Sequence, residues 1–560
     1  MFDPPPPAGA PPSRRQQLVA AGLIVLAVGF VYWNSLSAPF VFDDVHYIEH
    51  NELVRDLSRP DQVISFNPVR ALLLLSFAVN HTLSGMSTTG YHLTNCLIHC
   101  LNAFLVFQLI ACLLLLRPAT AEALGRYREL VPLFGALLYA VHPIQTEAVT
   151  YIVGRSSSMA SLFYLLGLVC FLRASGASGR ARTLWTAGMG LVYLLGLATK
   201  EIAATLPAVL LLLDWLFLAR DSLRERLLKI HLPIWILFWV LVVLRLTLLG
   251  KIGNPEHGGL PSSWIYFQTQ LAVFPRYLLL LVYPVGLSID HHVPWLNNPF
   301  EPNVLLGAGL ILALLAVLFL GRRNPFLAFG LGFFLLALTP TSTLLPIRDA
   351  MVERRLYLPL VGLMLPASVG LAWLTAWLER RFPRRPLGAV TAIAAAGLLV
   401  VLANLAMIRN ADYSSRLTLW ESALAMAPGK ARAHVNLALA RYEELNDRYT
   451  ARMLLEHALE LEPENMKAHN ILGVLAALEG DWSRSELHLT RAVELTETYA
   501  DPYKNLALLY AYTGRCAKAR ELLEQYESRK IPPGADEDGR SRVAGCLDGK
   551  IKLPSKNDFR

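Results

Sequence analysis

The sequence predicts an all-α protein: a polytopic membrane domain followed by an α-solenoid of paired helices. Three observations carry this. Hydrophobic residues make up 54% of the 560 and charged residues 17%, with a mean hydropathy of +0.41. Those values exclude an ordinary soluble enzyme. Long apolar runs recur up to about residue 408 and then stop. Beyond them the chain is polar, rich in Glu and Arg, and self-similar at a fixed period, which is the mark of a repeat architecture.

Taken in order, residues 1–17, MFDPPPPAGAPPSRRQQ, are Pro-rich and predict a disordered cytoplasmic leader. The apolar run after them is long and lacks an A-x-A-like cleavage site, so it reads as a retained first helix. Eleven stretches are long enough to span, at roughly 18–34, 92–116, 131–149, 156–173, 183–199, 202–219, 231–249, 303–321, 325–343, 355–378 and 387–408. Arg14/Arg15, Arg117/Arg126/Arg128, Arg173/Arg180/Arg182, Arg220/Arg224/Arg226/Lys229, Arg322/Arg323 and Arg380/Arg381/Arg384/Arg385 fall in alternate connections. The positive-inside rule assigns those connections to the cytoplasm. The apolar segment 265–284 lacks that flanking bias, and counting it as a span turns Arg322/Arg323 outward. It is expected to be re-entrant or interfacial. The N-terminus then lies inside and the C-terminal domain outside.

The formal charge of +8 follows from the basic cytoplasmic connections and requires no nucleic acid. Cys96, Cys100, Cys112 and Cys170 lie in apolar helices as packing residues. Cys516 and Cys546 are able to pair if the soluble domain is outside the cytosol. No zinc spacing occurs.

After the membrane domain (18–408), residues 409–530 carry the repeat. Leu437/Ala438, Leu472/Gly473 and Leu506/Ala507 recur at spacings of 35 and then 34, and Pro428 and Pro463 at 35. Ala458, Ala492 and Tyr526 repeat at 34. That is the tetratricopeptide pattern, with about three and a half repeats; a generic helical bundle has no reason to keep such a period. Arrays of this kind present concave surfaces to protein partners. Residues 531–560 form a C-terminal tail.

On this topology several polar groups converge on the non-cytoplasmic side. FVFDDVHY (40–47) places Asp43 and Asp44 about nine residues past the first span. Two aspartates there either cap a helix and face water or mark a site, since ionisable groups beside a bilayer are costly. HPIQTEAVTYIVGR (142–155) brings His142, Glu147 and Arg155 to the outer end of the third span. A lone histidine there is more often a hydrogen-bonding residue than a catalyst. Lys200 and Glu201 form a second outer turn, readable equally as a salt-bridged corner. PIRDAMVERRLYLP (346–359) sets Arg348, Arg354 and Arg355 outside, against the charge trend. Guanidinium forks match phosphate oxygens in two-point contacts, so these arginines suggest an anionic, lipid-linked substrate or headgroup anchoring. Together the groups suit a reaction in which a carboxylate activates an acceptor hydroxyl while Arg and Lys stabilise a phosphate leaving group. No phosphate-binding glycine pattern for a nucleotide is present.

In order along the chain stand FDD, NPVRALLLLSFAVNHTLSG (67–85), YHLTNCLIH (91–99), HPIQTEAVTYIVGR, ATKE (198–201), YPVGLSID (283–290), ERRLYLP (353–359) and W-x2-AL-x3-P-x5-H-x-NL across 420–437. This set resembles the transmembrane and tetratricopeptide repeat-containing O-mannosyltransferases, within the C superfamily (GT-C) of lipid-phosphate-sugar glycosyltransferases. The resemblance implies transfer of a sugar, typically mannose, from a polyprenyl phosphate to Ser or Thr hydroxyls of a protein acceptor recruited by the repeats, with inversion at the anomeric carbon. It implies Asp43 or Asp44 as the base. By physical reasoning Arg155, Lys200, Arg354 and Arg355 surround the donor phosphate and lipid, with His142, Glu147 and Glu201 supporting. No nucleotide or organic cofactor is expected; a divalent metal, used by some superfamily members, is left open, with no ligands assigned. The array is shorter than in animal members, and the Pro-rich start and compact size look bacterial. The expected location is then a bacterial inner membrane with periplasmic repeats, or the endoplasmic reticulum with luminal repeats. Two other readings stand beside this one: transfer to a glycolipid or polysaccharide, and a non-catalytic membrane-anchored scaffold. A transporter would place its charges at mid-membrane.

Overall fold

The structure is a computed structural model, which describes residues 11–218, 222–249, 260–343, 345–496 and 499–528. The chain divides into two units, one of residues 1–289 and 293–414, the other of residues 290–292 and 415–560. Among the described residues every regular element is helical. Most of the expected leader, the tail 531–560 and Cys546 lie outside the described residues; Arg14–Gln17, assigned to the leader, already belong to the first helix.

Unit 1 contains α1 (Arg14–Tyr32), α2 (Pro60–Phe66), α3 (Ala71–Ser84), α4 (Thr88–Leu115), α5 (Pro118–Leu124), α6 (Leu130–Val141), α7 (Thr146–Val149), α8 (Arg155–Gly176) and α9 (Gly179–Leu197). It continues with α10 (Leu206–Phe217), α11 (Leu223–Arg226), α12 (Leu232–Leu249), α13 (Ser263–Val282), α14 (Pro302–Leu320), α15 (Pro325–Leu338), α16 (Pro359–Arg381) and α17 (Leu387–Ala411). The starts follow local chemistry. Ser13 and Gln16 form a reciprocal capping box on α1, and Asn324 caps α15 ahead of Pro325.

Eight helices among the described residues are long and apolar enough to cross a membrane. The chain is a polytopic membrane protein. Four of the eleven expected spans are not among the eight: α9 has 19 residues but is not apolar enough, and α6 and α10, of 12 residues each, and α15, of 14, are too short. Proline sets the ends of α6 and α15. His142 is driven into extended backbone by Pro143, and Pro340 sits in the 3-10 turn that follows α15. The windows of α12, α14 and α17 are only 17%, 11% and 17% buried, so their apolar faces need lipid as solvent. α4, α6, α8, α15 and α16 form the packed interior.

The segment expected to be interfacial is α13, a continuous 20-residue helix that also meets the length and composition of a span. It runs alongside one connection. The Tyr266 hydroxyl donates to Thr341 O at 2.6 Å, Gln270 Nε2 to Ala350 O at 2.8 Å, and the Tyr277 hydroxyl to Val352 O at 3.2 Å. A polar face is thus spent on the carbonyls of the buried residues Thr341, Ala350 and Val352, which satisfies buried backbone acceptors. Another departure lies before α4, where α2 and the segment Pro68–Ser84 meet at 112° in a sharply bent pair.

Unit 2 contains α18 (Arg416–Met426), α19 (Ala431–Leu445), α20 (Arg448–Leu461), α21 (Met466–Leu478), α22 (Trp482–Glu494), α23 (Ala500–Tyr512) and α24 (Cys516–Ser528). These are one helix and three hairpins. Asp447 and Asp481 cap the second helix of the first two hairpins at equivalent positions, and Ala438, Ala458, Ala468 and Ala492 are fully buried where helices touch.

Candidate functional site

The acidic pair is set by an unusual backbone. Phe42 adopts φ +53°, a left-handed conformation costly for a bulky residue, and its ring lies 6.3 Å from that of Tyr151. The turn sends the two aspartates in different directions. Asp44 is fully buried, and its carboxylate accepts the Val41 N–H at 3.1 Å and the Val153 N–H at 2.8 Å. Burial pushes its pKa up to about 8, against the pull of those backbone donors. Asp43 is half-buried. Its N–H donates to the Tyr151 hydroxyl at 3.2 Å, and its carboxylate also meets that hydroxyl.

Tyr151 links Asp43 to the cations. The Arg354 guanidinium stands 5.6 Å from the Tyr151 ring centroid, and Asp43 is among the charges that act on it. Glu147 is fully buried, accepts the Arg354 N–H at 2.8 Å and pairs with the Arg354 guanidinium. Burial disfavours the Arg354 charge, but Glu147, Tyr151 and Asp43 raise its pKa above the ordinary value. Close backbone approach fixes Glu147. A Cβ at Gly154 would lie 2.2 Å from Glu147 O, so only glycine lets the 152–154 turn sit against α7.

Lys200 is buried and donates to Ser157 Oγ at 2.7 Å. Burial, then the charges of Arg354, Arg70 and Arg355, lower its pKa to about 7, while Glu201 opposes the shift. Burial works against the Glu201 carboxylate, yet Lys200 and Arg70 hold it below the usual range. The structure therefore gathers Asp43, Glu147, Lys200, Glu201, Arg354 and Arg355 at one end of unit 1. Arg355 folds back on its own connection, donating to Ala350 O at 2.9 Å and Asp349 O at 2.5 Å. Arg348 is exposed.

Two of the expected site residues sit elsewhere. Arg155, placed at the donor phosphate on sequence grounds, is fully buried and held by protein acceptors: Asn95 Oδ1 at 2.6 Å, Ser76 Oγ at 3.1 Å and Tyr91 O at 3.0 Å. Its guanidinium also stands 4.8 Å from the Phe77 ring centroid. It ties α3 and α4 to the start of α8. His142 is a bridge: Nδ1 accepts the Ile144 N–H at 3.2 Å and Nε2 donates to Leu281 O at 3.1 Å.

Residues not singled out from the sequence complete the cluster. Arg70, inside the NPVR motif, acts on both Lys200 and Glu201. Tyr151 stands between Asp43 and Arg354. Buried Glu353 accepts the Ser288 N–H at 2.6 Å. Each lies within a stretch that the sequence marks; Tyr151 stands between Glu147 and Arg155 and Glu353 precedes Arg354, whereas the stretch of Arg70 holds no other site candidate. Among the described residues no three His, Cys, Asp or Glu side chains gather in a way that could hold a metal ion.

Several curated proteins are similar to this chain over most of its length. Protein O-mannosyl-transferase TMTC3 of Mus musculus is 26% identical over 507 residues, covering 80% of this chain and 52% of the relative. The human TMTC4 protein of the same name is 26% identical, covering 74% of this chain and 63% of the relative. Human TMTC1 is 27% identical, covering 81% and 56%. The chain is TMTC-like. It spans about half to under two thirds of the length of these curated relatives. No protein-family model matches it, and no solved structure does.

Proposed function

We propose that this protein is a membrane glycosyltransferase that moves mannose from a polyprenyl-phosphate donor to Ser or Thr hydroxyls of a protein acceptor on the non-cytoplasmic side. One observation carries the reading: Asp43 is the half-buried acid of the pair and faces Tyr151 and Arg354, within a cluster that also holds Lys200, Arg70 and Arg355. Asp43 takes the proton of the acceptor hydroxyl as its oxygen bonds to the anomeric carbon. The bond from that carbon to the phosphate oxygen breaks, and the polyprenyl phosphate leaves with the negative charge. Arg354, Lys200 and Arg70 stabilise that charge where it develops, the type of contribution that dominates transfer to and from phosphate. Glu147 holds Arg354 in place, and Asp44 shapes the turn that presents Asp43. The names of the relatives supply the sugar and the protein acceptor. The helical hairpins of unit 2 are assigned to recruiting that acceptor.

The test is transfer of radiolabelled mannose from polyprenyl-phosphate-mannose to membrane proteins. Label on protein that disappears in Asp43→Asn supports the reading. Label that goes instead to a lipid-linked glycan moves the acceptor to that class. No label from any polyprenyl-phosphate hexose, with a protein partner still retained by the hairpins, leaves a scaffold.

A further inference from the structure

The helices that start at the acidic cluster converge again at their far ends. α4 begins beside Tyr91 and Asn95 and ends at Arg117; α10 follows Lys200 and Glu201 and ends at Phe217; α14 and α15 meet at Arg322 and Arg323. These far ends enclose a cavity of about 560 Å3 lined by Arg117, Arg322, Arg323, Trp215, Leu218 and Pro325.

The cavity is built on a rigid floor. Phe217 packs edge-on against Phe326 and Phe329 of α15 at 5.4 and 5.8 Å. Arg117 lies over Phe217 at 5.6 Å and donates to Leu216 O, and its buried Nε has no hydrogen-bond partner among the described residues. Arg322 stands over Phe319 at 4.5 Å. Among the described residues no carboxylate pairs with any of the three arginines, whereas Arg226 pairs with Asp214 at 2.6 Å and Arg126 and Arg182 pair with Glu379 and Glu225. Trp215 is 56% exposed, which suits an aromatic ring at the headgroup level of a bilayer. The window of α14, which leads away from the cavity, is 11% buried and offers an apolar track for acyl chains.

We propose that this cavity binds the phosphate head group of one anionic phospholipid, at the end of unit 1 opposite the acidic cluster. Three guanidinium groups with no carboxylate partner among the described residues, one of them with a buried donor left over there, match phosphodiester oxygens. Basic pockets between membrane helices bind such head groups in this way. The bound lipid joins the ends of α4, α10 and α14 through a single anion.

The experiment is native mass spectrometry of the full chain in detergent with equimolar phosphatidylglycerol and phosphatidylcholine. Wild type is expected to retain one phosphatidylglycerol in preference. Arg322→Gln with Arg323→Gln should lower that retention about 25-fold, at about fivefold per arginine, and Arg117→Gln should lower it too. Arg384→Gln with Arg385→Gln, exposed residues on the connection after α16, should leave it unchanged. Equal retention of both lipids, or equal losses in the two double variants, overturns the proposal in favour of diffuse surface charge. Displacement of the lipid by glycerol phosphate at equal concentration overturns the lipid assignment and makes this a site for a free phosphate.

Discussion

Glu147 accepts the backbone N–H of Arg354 with one carboxylate oxygen and pairs with the Arg354 guanidinium through the other. The two residues come from connections 207 positions apart, so this pair closes the site across unit 1. Glu147 is fully buried, and removing one partner of a buried pair leaves the other charge uncompensated. Glu147→Gln is expected to lower unfolding stability by about 3–5 kcal/mol, and Glu147→Gln with Arg354→Gln by less than the sum of the single changes. Chemical denaturation of the purified protein measures both, and additive losses would contradict the coupling.

Asp43 and Asp44 should separate by the kind of damage their loss causes. Asp43 is half-buried and faces the cluster, so Asp43→Asn is expected to cut transfer about 10²–10⁴-fold, the range for a general base, with an unchanged melting temperature. Asp44 spends both oxygens on backbone donors. Asp44→Asn places an N–H against one of them, and is expected to lower the melting temperature before any effect on chemistry is read. Initial rates beside thermal unfolding curves check the split.

Lys200 provides a pH signature. Its pKa is lowered to about 7 by burial and by Arg354, Arg70 and Arg355, with Glu201 opposing and Ser157 accepting its hydrogen bond. A bound phosphate raises that pKa, so binding above pH 7 takes up a proton. Donor affinity therefore falls as pH rises from about 7, by up to tenfold per unit until the pKa of the bound state is passed. The stability of the unliganded protein runs the other way. The unfolded lysine holds its proton up to its ordinary pKa of 10.5, so stability contributed here is gained as pH rises through 7. In Lys200→Arg the charge is fixed and both slopes should vanish, which donor titrations at pH 6.5, 7.5 and 8.5 would read.

Much of this was legible in the sequence, and what was not has physical causes. The apolar runs located most of the long helices, and the motifs marked most of the residues that gather at one end of unit 1, because burying charge among apolar helices is costly. The short helices α6 and α10 were hidden because hydropathy does not register where Pro143 and the Lys200 turn break a run. Arg155 misled for a different reason. A guanidinium at an outer helix end looks the same in sequence whether it faces a phosphate or a nest of carbonyls; Ser76, Tyr91 and Asn95, which decide the matter, lie far away in the chain. Arg70 was missed because it follows Pro68 in a segment with no span of its own, and only the fold carries it to Lys200.

Gly154 should be as intolerant as any charged residue of the site. Any side chain there meets Glu147 O, and the next nearest atoms belong to the Ala148 and Glu147 backbone, none of which can rotate aside. Gly154→Ala is expected to displace α7 and loosen the Glu147–Arg354 pair, lowering transfer and stability together. Gly309→Ala, on the open face of α14 with nothing within 4 Å of its Cβ position, should be neutral or slightly stabilising.

The position of Arg155 yields the sharpest contrast with Arg354, which is proposed to meet the donor phosphate. Its Nε, Nη1 and Nη2 meet Asn95, Ser76 and Tyr91, a three-way fork that a lysine cannot reproduce. Arg155→Lys keeps the positive charge but leaves Asn95 Oδ1 or the Tyr91 carbonyl short of a donor, at about 1–3 kcal/mol for each buried group. Were Arg155 a phosphate ligand, the same change would spare stability and raise the donor KM. The expected result is the reverse: a lower melting temperature, with a donor KM unchanged in the protein that remains folded. Arg354→Lys, beside the acidic pair, should instead raise the donor KM or lower kcat, because there the guanidinium faces Tyr151 and Asp43 and not a ring of carbonyls. Measuring melting temperature and KM for both lysine variants on one preparation decides which arginine holds the fold and which meets the phosphate.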